Sequence, residues 1–444
     1  MSFINNSGDY VMDSDCKGWL GSGYYPITMN WNKNTDYCKW NGITCNHLTG
    51  DVIDIDLSCG MLQGTIHPNT TLFHLPHLQT LNLAFNKFSH SQLPRNIGGL
   101  SNSLTLLNLS YCGFSGDIPG EILYLPKLVS LDLSWNDGLQ IQLSVLKNLL
   151  LNCTHLKELL LKEVDISWVL PRYLNISTSP KSLDLRSTNL QGKFPDNIFS
   201  LQYLEKLLLS FNYGLTGPLP TINTSTHIPL KWLGLSGTKL PGEIPESVGH
   251  LMSLTTLGLS NCGLVGSIPK SLVNFSGGLP TELFDCRSLR KKQFDGMINE
   301  GSTPPSFIQL ASLTFLNLAN NNFTGLWDLN TLFSCLPNLQ TLDLSYSGLI
   351  VVSNNNTRYV NPEFRDLRLA SCNLTVFPES LRAMKKLTYL DLSSDHIQGH
   401  IPDWAPEIGG NGCLALISNE SSSENLPQVG CGRRSALRSP KIAN

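Results

Sequence analysis

Residues 104–119 read Leu104-Thr-Leu-Leu107-Asn-Leu109-Ser-Tyr-Cys112-Gly-Phe114-Ser-Gly116-Asp-Ile118-Pro119. Written as L-x-x-L-x-L-x-x-N/C-x-F/L-x-G-x-I-P, this pattern restarts at Val52, Leu78, Leu128, Leu156, Pro180, Leu204, Leu230, Leu254, Leu313, Leu339, Phe364 and Leu387. The intervals are 26, 26, 24, 28, 24, 24, 26 and 24, then 59, then 26, 25 and 23 residues. A fixed period over thirteen copies leaves little freedom. Each copy must be one structural unit stacked on the next.

Within one copy, Leu107 and Leu109 alternate with polar neighbours, which predicts a short strand with one buried face. Leu104, Phe114 and Ile118 turn inward from the flanking loops. One copy cannot bury these residues alone, and stacking makes a continuous leucine core with parallel strands. The expected fold class is therefore an α/β solenoid, a leucine-rich-repeat horseshoe or superhelix with a parallel sheet on its concave face. The ninth position is Asn86, Asn136, Asn212 or Asn321 in four copies, and a buried Asn there can satisfy backbone groups of the neighbouring turn. Cys112, Cys262 and Cys372 fill the same position, as do Thr188 and Thr238, so these thiols read as structural and inert.

The endings Gly116-Asp-Ile-Pro119, Gly242-Glu-Ile-Pro245, Gly266-Ser-Ile-Pro269 and Gly399-His-Ile-Pro402 combine a residue that tolerates positive φ with one that has no N–H to give a ladder. This G-x-I-P form resembles the plant extracellular type of leucine-rich repeat. The resemblance implies a second short strand after the main one.

Residues 1–50 do not follow the period and are expected to cap the open end of the core. They contain Trp31-Asn-Lys-Asn-Thr-Asp36-Tyr37-Cys38-Lys-Trp40-Asn-Gly42-Ile43-Thr-Cys45. Two cysteines seven apart between tryptophans suit a stapled cap with Cys38 joined to Cys45; two unrelated thiols are the alternative. The stretch resembles the N-terminal cap of plant receptor-like proteins and receptor kinases. Tyr37 stands where that family often has the first of two adjacent cysteines, whose partner lies in an upstream capping helix. The comparison leaves Cys16 unpaired.

The period lapses after Pro269. Residues 271–312 are read as two damaged repeats with a short insertion, or as a splicing artefact, and Arg290-Lys-Lys292 as a solvated charge run. The repeats, 51–410, number about 13 to 14, and 411–444 read as a disordered, non-repeat tail. Leu367-Arg-Leu-Ala-Ser-Cys372-Asn-Leu-Thr-Val-Phe-Pro378 and Leu387-Thr-Tyr-Leu-Asp-Leu392 resemble the middle of Cf-type fungal-resistance receptor-like proteins.

A net charge of −3 argues against nucleic acid as a partner. No apolar run reaches the roughly 18 residues that span a bilayer, and the start has neither a basic nor an apolar leader region. Eleven Asn-x-Ser/Thr sequons, at Asn5, Asn69, Asn108, Asn152, Asn175, Asn223, Asn274, Asn322, Asn355, Asn373 and Asn419, nevertheless point to a secreted context. A fragment, or a gene model, lacking its leader reconciles the two. By resemblance the location is the extracellular side of the cell membrane.

Nothing in the chain assembles catalysis. There is no H-E-x-x-H, G-x-G-x-x-G, Walker loop or G-x-S-x-G, and no C-x-x-C spacing for zinc. The reading is a non-enzyme with no metal and no small-molecule cofactor. Binding has better support. Positions five, seven and eight of each repeat are expected to face outward on the sheet. They and their neighbours supply Phe85, Tyr111, Trp135, Lys162, Glu163, Asp184, Arg186, Phe211, Trp232 and Tyr346 as candidate ligand contacts. The plainer alternative is that the aromatics only cover the strand edge. Asn108 is a sequon on the same face, where a glycan would block part of it.

The resemblance implies a receptor ectodomain fragment that binds a protein or peptide and recruits a co-receptor kinase in defence or development. A secreted inhibitor of the polygalacturonase-inhibiting kind and a non-functional truncated product are the alternatives.

Overall fold

The computed structural model describes residues 16, 26–67, 70–89, 91–100, 102–167, 169–170, 180–222, 228–269, 312–353, 361–398, 402–405, 408 and 416–417. The chain divides into two units, Met1–Leu215 and Thr216–Asn444. In the first, strands Val52–Asp56, Thr80–Asn82, Leu106–Asn108, Ser130–Asp132, Glu158–Leu160, Ser182–Asp184 and Lys206–Leu208 run parallel in sequence order. Their register is one template position to its equivalent, so Ile55, Leu81, Leu107, Leu131, Leu159, Leu183 and Leu207 form one buried row. In the second unit, strands Trp232–Gly234, Thr256–Gly258, Phe315–Asn317, Thr341–Asp343, Asp366–Arg368 and Tyr389–Asp391 do the same, and Leu416–Ile417 pairs parallel to the last of them.

Why each strand stops after about three residues is local chemistry. An Asp or Asn at position five accepts the N–H of position seven through its own Oδ1, as Asn82 does from Ala84 at 3.1 Å, Asn108 from Ser110 at 3.0 Å and Asp132 from Ser134 at 2.9 Å. Position eight then takes a left-handed backbone in all thirteen repeats, from Cys59 at φ 52° to Gly237 at 71°. Only one of the thirteen is glycine, and each of the others costs about 1 kcal/mol. Neighbour hydrogen bonds offset that cost. The Phe85, Tyr111 and Trp135 N–H groups donate to Ser110, Ser134 and Lys162 carbonyls at 3.0, 3.0 and 2.7 Å.

The second strand implied by the plant-type ending is present. Ser115–Asp117 pairs with Gly138–Gln140 in the first unit; Val265–Ser267 with Asn322–Thr324, and Leu326–Asp328 with Ile350–Val352, in the second. On the far side of the core the prolines open short 3₁₀ turns, as Pro119 does for Gly120–Tyr124 and Pro245 for Glu246–His250.

The buried Asn positions link repeats. Asn136 Oδ1 accepts the Cys112 and Phe114 N–H groups at 3.2 and 3.0 Å, and its Nδ2 donates to Leu109 and Leu133 carbonyls, both at 2.9 Å. Asn86, Asn212 and Asn321 repeat the pattern. The cysteines expected to be structural are buried, and Cys112, Cys262 and Cys372 each donate Sγ–H to a carbonyl of the preceding repeat. Burial pushes the Cys112 thiol up to about 12, which keeps it inert.

Asp395 fills the asparagine's place near the end of the second unit and is 2 % exposed. Its Oδ1 accepts the Cys372 and Leu374 N–H groups at 2.8 and 3.0 Å, but a carboxylate has no N–H for the carbonyls opposite. Burial raises its pKa from 3.8 to about 6; those two N–H groups and His396 pull the other way, while Asp391 adds to the rise. The folded pKa lies above the unfolded one. Its contribution to stability is therefore complete below pH 3.8 and is lost as the pH rises through 6. Asp395→Asn is expected to remove that pH dependence and to stabilise the second unit by about 1–2 kcal/mol at neutral pH. Melting curves between pH 4 and 8 that stay parallel for the two proteins would contradict this.

One expectation falls outside the described residues and one is corrected. Thr256, Leu257 and Gly258 pair directly with Phe315, Leu316 and Asn317, and Asn321 accepts the N–H groups of Cys262 and Leu264 across the gap. The reading of residues 271–312 as two damaged repeats with a short insertion, or as a splicing artefact, falls on the intervening stretch. Residues 270–311, including the Arg290–Lys292 run, lie outside the described residues. Second, Cys16 is not unpaired: it is joined to Cys59. Cys59 occupies position eight of the first repeat, whose left-handed backbone turns its side chain away from the core. Cys38 is joined to Cys45 as expected. The cap strand Ile43–Cys45 lies antiparallel on Val52–Asp56, Trp31 stacks on Trp40 at 4.8 Å, and Gly42 sits so close that a Cβ would stand 2.2 Å from the Asp56 carbonyl oxygen.

Candidate ligand-recognition face

The left-handed backbone at position eight projects its side chains from the edge of the sheet, one per repeat. In repeats two to four these are Phe85, Tyr111 and Trp135, and they stack. The ring centroids of Phe85 and Tyr111 are 4.6 Å apart at 13°, those of Tyr111 and Trp135 4.9 Å apart at 28°. The Lys162 ammonium closes the series 3.7 Å over the Trp135 ring. Ring faces are thereby spent on one another and on Lys162, and ring edges form the outer ridge. Trp135 remains 38 % exposed.

Position seven does not face outward in most repeats. Ser110, Ser134 and Ser210 are buried there, because the turn that begins at position five folds this residue under the next strand. Lys162 and Arg186 reach the surface from this position because their side chains are long. Arg186 lies back on the buried Asp184 carboxylate, Nε to Oδ1 at 2.8 Å and Nη2 to Oδ2 at 2.6 Å. Burial and the neighbouring Arg186 charge lower the Lys162 pKa, against Asp184 and Glu163, which raise it. Burial raises the pKa of Asp132, with Asp184 and Glu158 adding repulsion. Position three, left out of the sequence reading except for Trp232, contributes Glu158, whose Oε2 accepts the Ser130 hydroxyl at 2.8 Å.

The structure therefore brings Phe85, Tyr111, Trp135 and Lys162 into contact, with Asp184 and Arg186 paired two strands on from Asp132. Glu163 takes position eight beside Trp135. Phe211, 49 % exposed, is separated from the ladder by Glu163 and Ser187 at that position. Trp232 and Tyr346, 45 % and 51 % exposed, belong to the second unit. There Arg368 is held by Asp366 and lies 4.3 Å from the Tyr389 ring centre, a cluster the sequence reading missed. An Asp-x-Arg spacing inside a strand was the available signal.

Among the sequons, Asn108 lies within the sheet, its Oδ1 accepting the Ser110 N–H and hydroxyl at 3.0 and 2.8 Å. Asn152, Asn322 and Asn373 are exposed. Asn5, Asn69, Asn175, Asn223, Asn274, Asn355 and Asn419 lie outside the described residues. Among the described residues no group of His, Cys, Asp and Glu is arranged to hold a metal, and no helix is long and apolar enough to cross a membrane.

Stacked repeats, a stapled cap and a second strand define a leucine-rich-repeat protein of the plant extracellular type. The model of the leucine-rich-repeat N-terminal domain matches residues 22–46, and that of the leucine-rich repeat matches 103–125 and 253–275. The chain is similar to plant receptor-like proteins. It is 41 % identical to Receptor-like protein 6 of Arabidopsis thaliana over 239 residues, 52 % of this chain and 24 % of that protein. It is 35 % identical to Receptor-like protein Cf-9 of Solanum pimpinellifolium over 249 residues, 56 % of this chain and 28 % of that one. The chain thus spans about a quarter of these relatives. A solved plant peptide hormone receptor, RGFR1 in complex with RGF2, shares the fold at TM-score 0.51 and 22 % identity, over 86 % of this chain and 68 % of that one.

Proposed function

We propose that this chain is the ligand-recognising repeat region of a receptor-like protein, and that it takes a protein or peptide segment on the outward sheet face of its first unit. The ladder of Phe85, Tyr111 and Trp135 ending on Lys162 carries the reading. Aligned aromatic side chains held rigid by their own backbone lose little entropy when a partner covers them, which is the chemistry of interface hot spots. The kinship with receptor-like proteins supports a signalling role. With no catalytic constellation in its sequence, such a chain would pass its signal through a partner kinase at the cell surface.

Peptides selected from a random library on the purified chain provide the test. Trp135→Ala is expected to weaken the selected binders by at least tenfold, while the melting temperature moves little because the ring is partly exposed. Binders that hold the variant as tightly as the parent would remove the ladder from the recognition face.

A further inference from the structure

The charges around the ladder say what kind of segment fits it. Asp132, three residues before Trp135 in its own repeat, and Glu158, on the next strand, face outward from the sheet. Asp184 lies one strand further on. At the other end of the ladder, Asp54 and Asp56 stand on the first repeat's strand. Two cations are near. Lys162 is committed to the Trp135 ring and Arg186 to Asp184. Among the described residues neither forms an ion pair with Asp132 or Glu158, which accept hydrogen bonds from the neutral Ser134 and Ser130. Counting Asp132, Glu158, Glu163 and Asp184 against Lys162 and Arg186, and Lys206 on the strand beyond Asp184, leaves one negative charge in excess beside the ridge. Burial is the main reason the Asp132 and Asp54 pKa values are raised, and repulsion from Asp184 and Glu158 on the one and from Asp56 on the other adds to it.

Resting on the recognition face proposed above, we infer that its occupant is a basic segment: an extended peptide stretch whose apolar side chains lie along the edges of Phe85, Tyr111 and Trp135 and whose Lys or Arg side chains reach Asp132 and Glu158. An acidic segment would meet this excess charge unfavourably, and a neutral one would leave it uncompensated.

Asp132→Asn with Glu158→Gln removes the charge and spares the fold, since Asn82, Asn108 and Asn317 already make the same turn at the equivalent position. Labelled peptides of equal length alternating Lys–Tyr, Ser–Tyr and Glu–Tyr serve as probes. The Lys–Tyr probe is expected to bind about tenfold or more tighter than Glu–Tyr at low salt, with the gap closing at roughly 0.5 M salt. The double variant is expected to weaken Lys–Tyr binding about three- to tenfold and to leave Ser–Tyr unchanged. A control pair off the face, Asp117→Asn with Glu121→Gln, is expected to change nothing. Equal binding of Lys–Tyr and Glu–Tyr, or an equal effect of the control pair, overturns the basic segment. If Trp135→Ala abolishes binding while the charge variants do not matter, the recognition face stands and the basic segment falls. If Trp135→Ala affects none of the probes, both fall.

Discussion

Asn136→Ala is expected to destabilise the first unit by about 4 kcal/mol. The side chain is fully buried and joins two repeats. Its Oδ1 is a hydrogen-bond acceptor for the N–H groups of Cys112 and Phe114, and its Nδ2 serves carbonyls on both strands. Alanine leaves two buried donors without that acceptor, each at a cost of about 1–3 kcal/mol, and opens space besides. Because repeats hold mainly their neighbours, the damage is local to repeats three and four and weakens cooperativity there. Cys112→Ala is the comparison. It occupies the equivalent position one repeat earlier but offers only a weak Sγ–H to Leu83 at 3.0 Å, and should cost about 1–2 kcal/mol. Chemical denaturation of the two variants decides the matter. An Asn136→Ala loss no larger than that of Cys112→Ala would mean the ladder of amides is incidental to stability.

The second large effect concerns the cap. Replacing Cys16 and Cys59 by serine is expected to destabilise the cap and first repeat by about 4 kcal/mol, and replacing Cys38 and Cys45 by about 2 kcal/mol. The ranking follows from loop length: the first disulfide closes a separation of 43 residues, the second one of 7. A longer loop has more freedom to regain when its link is lost. The readout is hydrogen exchange at the Leu57 amide, which bonds to the Asn82 carbonyl at 2.8 Å, together with thermal unfolding. The reverse ranking, or exchange at Leu57 unchanged by loss of the longer link, would show that the N-terminal segment is held by other means. The ladder begins next to this link, since Cys59 precedes Phe85 at position eight.

The amino-acid sequence by itself determined the period, the leucine rows, the interstrand role of Asn86, Asn136, Asn212 and Asn321, and the staple between Cys38 and Cys45. These rest on contacts between equivalent positions of adjacent repeats or between residues a few apart, and a spacing can display both. The tertiary structure alone decided the rest. Cys16 and Cys59 meet because capping places Cys16 against the first repeat, and no local pattern pairs residues 43 apart. The repeats at Leu254 and Leu313 are neighbours because backbone donors and acceptors there are satisfied directly across 59 residues. In repeats two to four the left-handed turn at position eight had no glycine to betray it; Phe, Tyr and Trp adopt it because hydrogen bonds to the next repeat outweigh the local strain. That turn lets the aromatic rings stack along the unit, seats Lys162 on Trp135, and leaves Asp132 and Glu158 without a positive partner among the described residues. Side-chain direction depends on that backbone twist, and the twist exists only once the repeats are stacked.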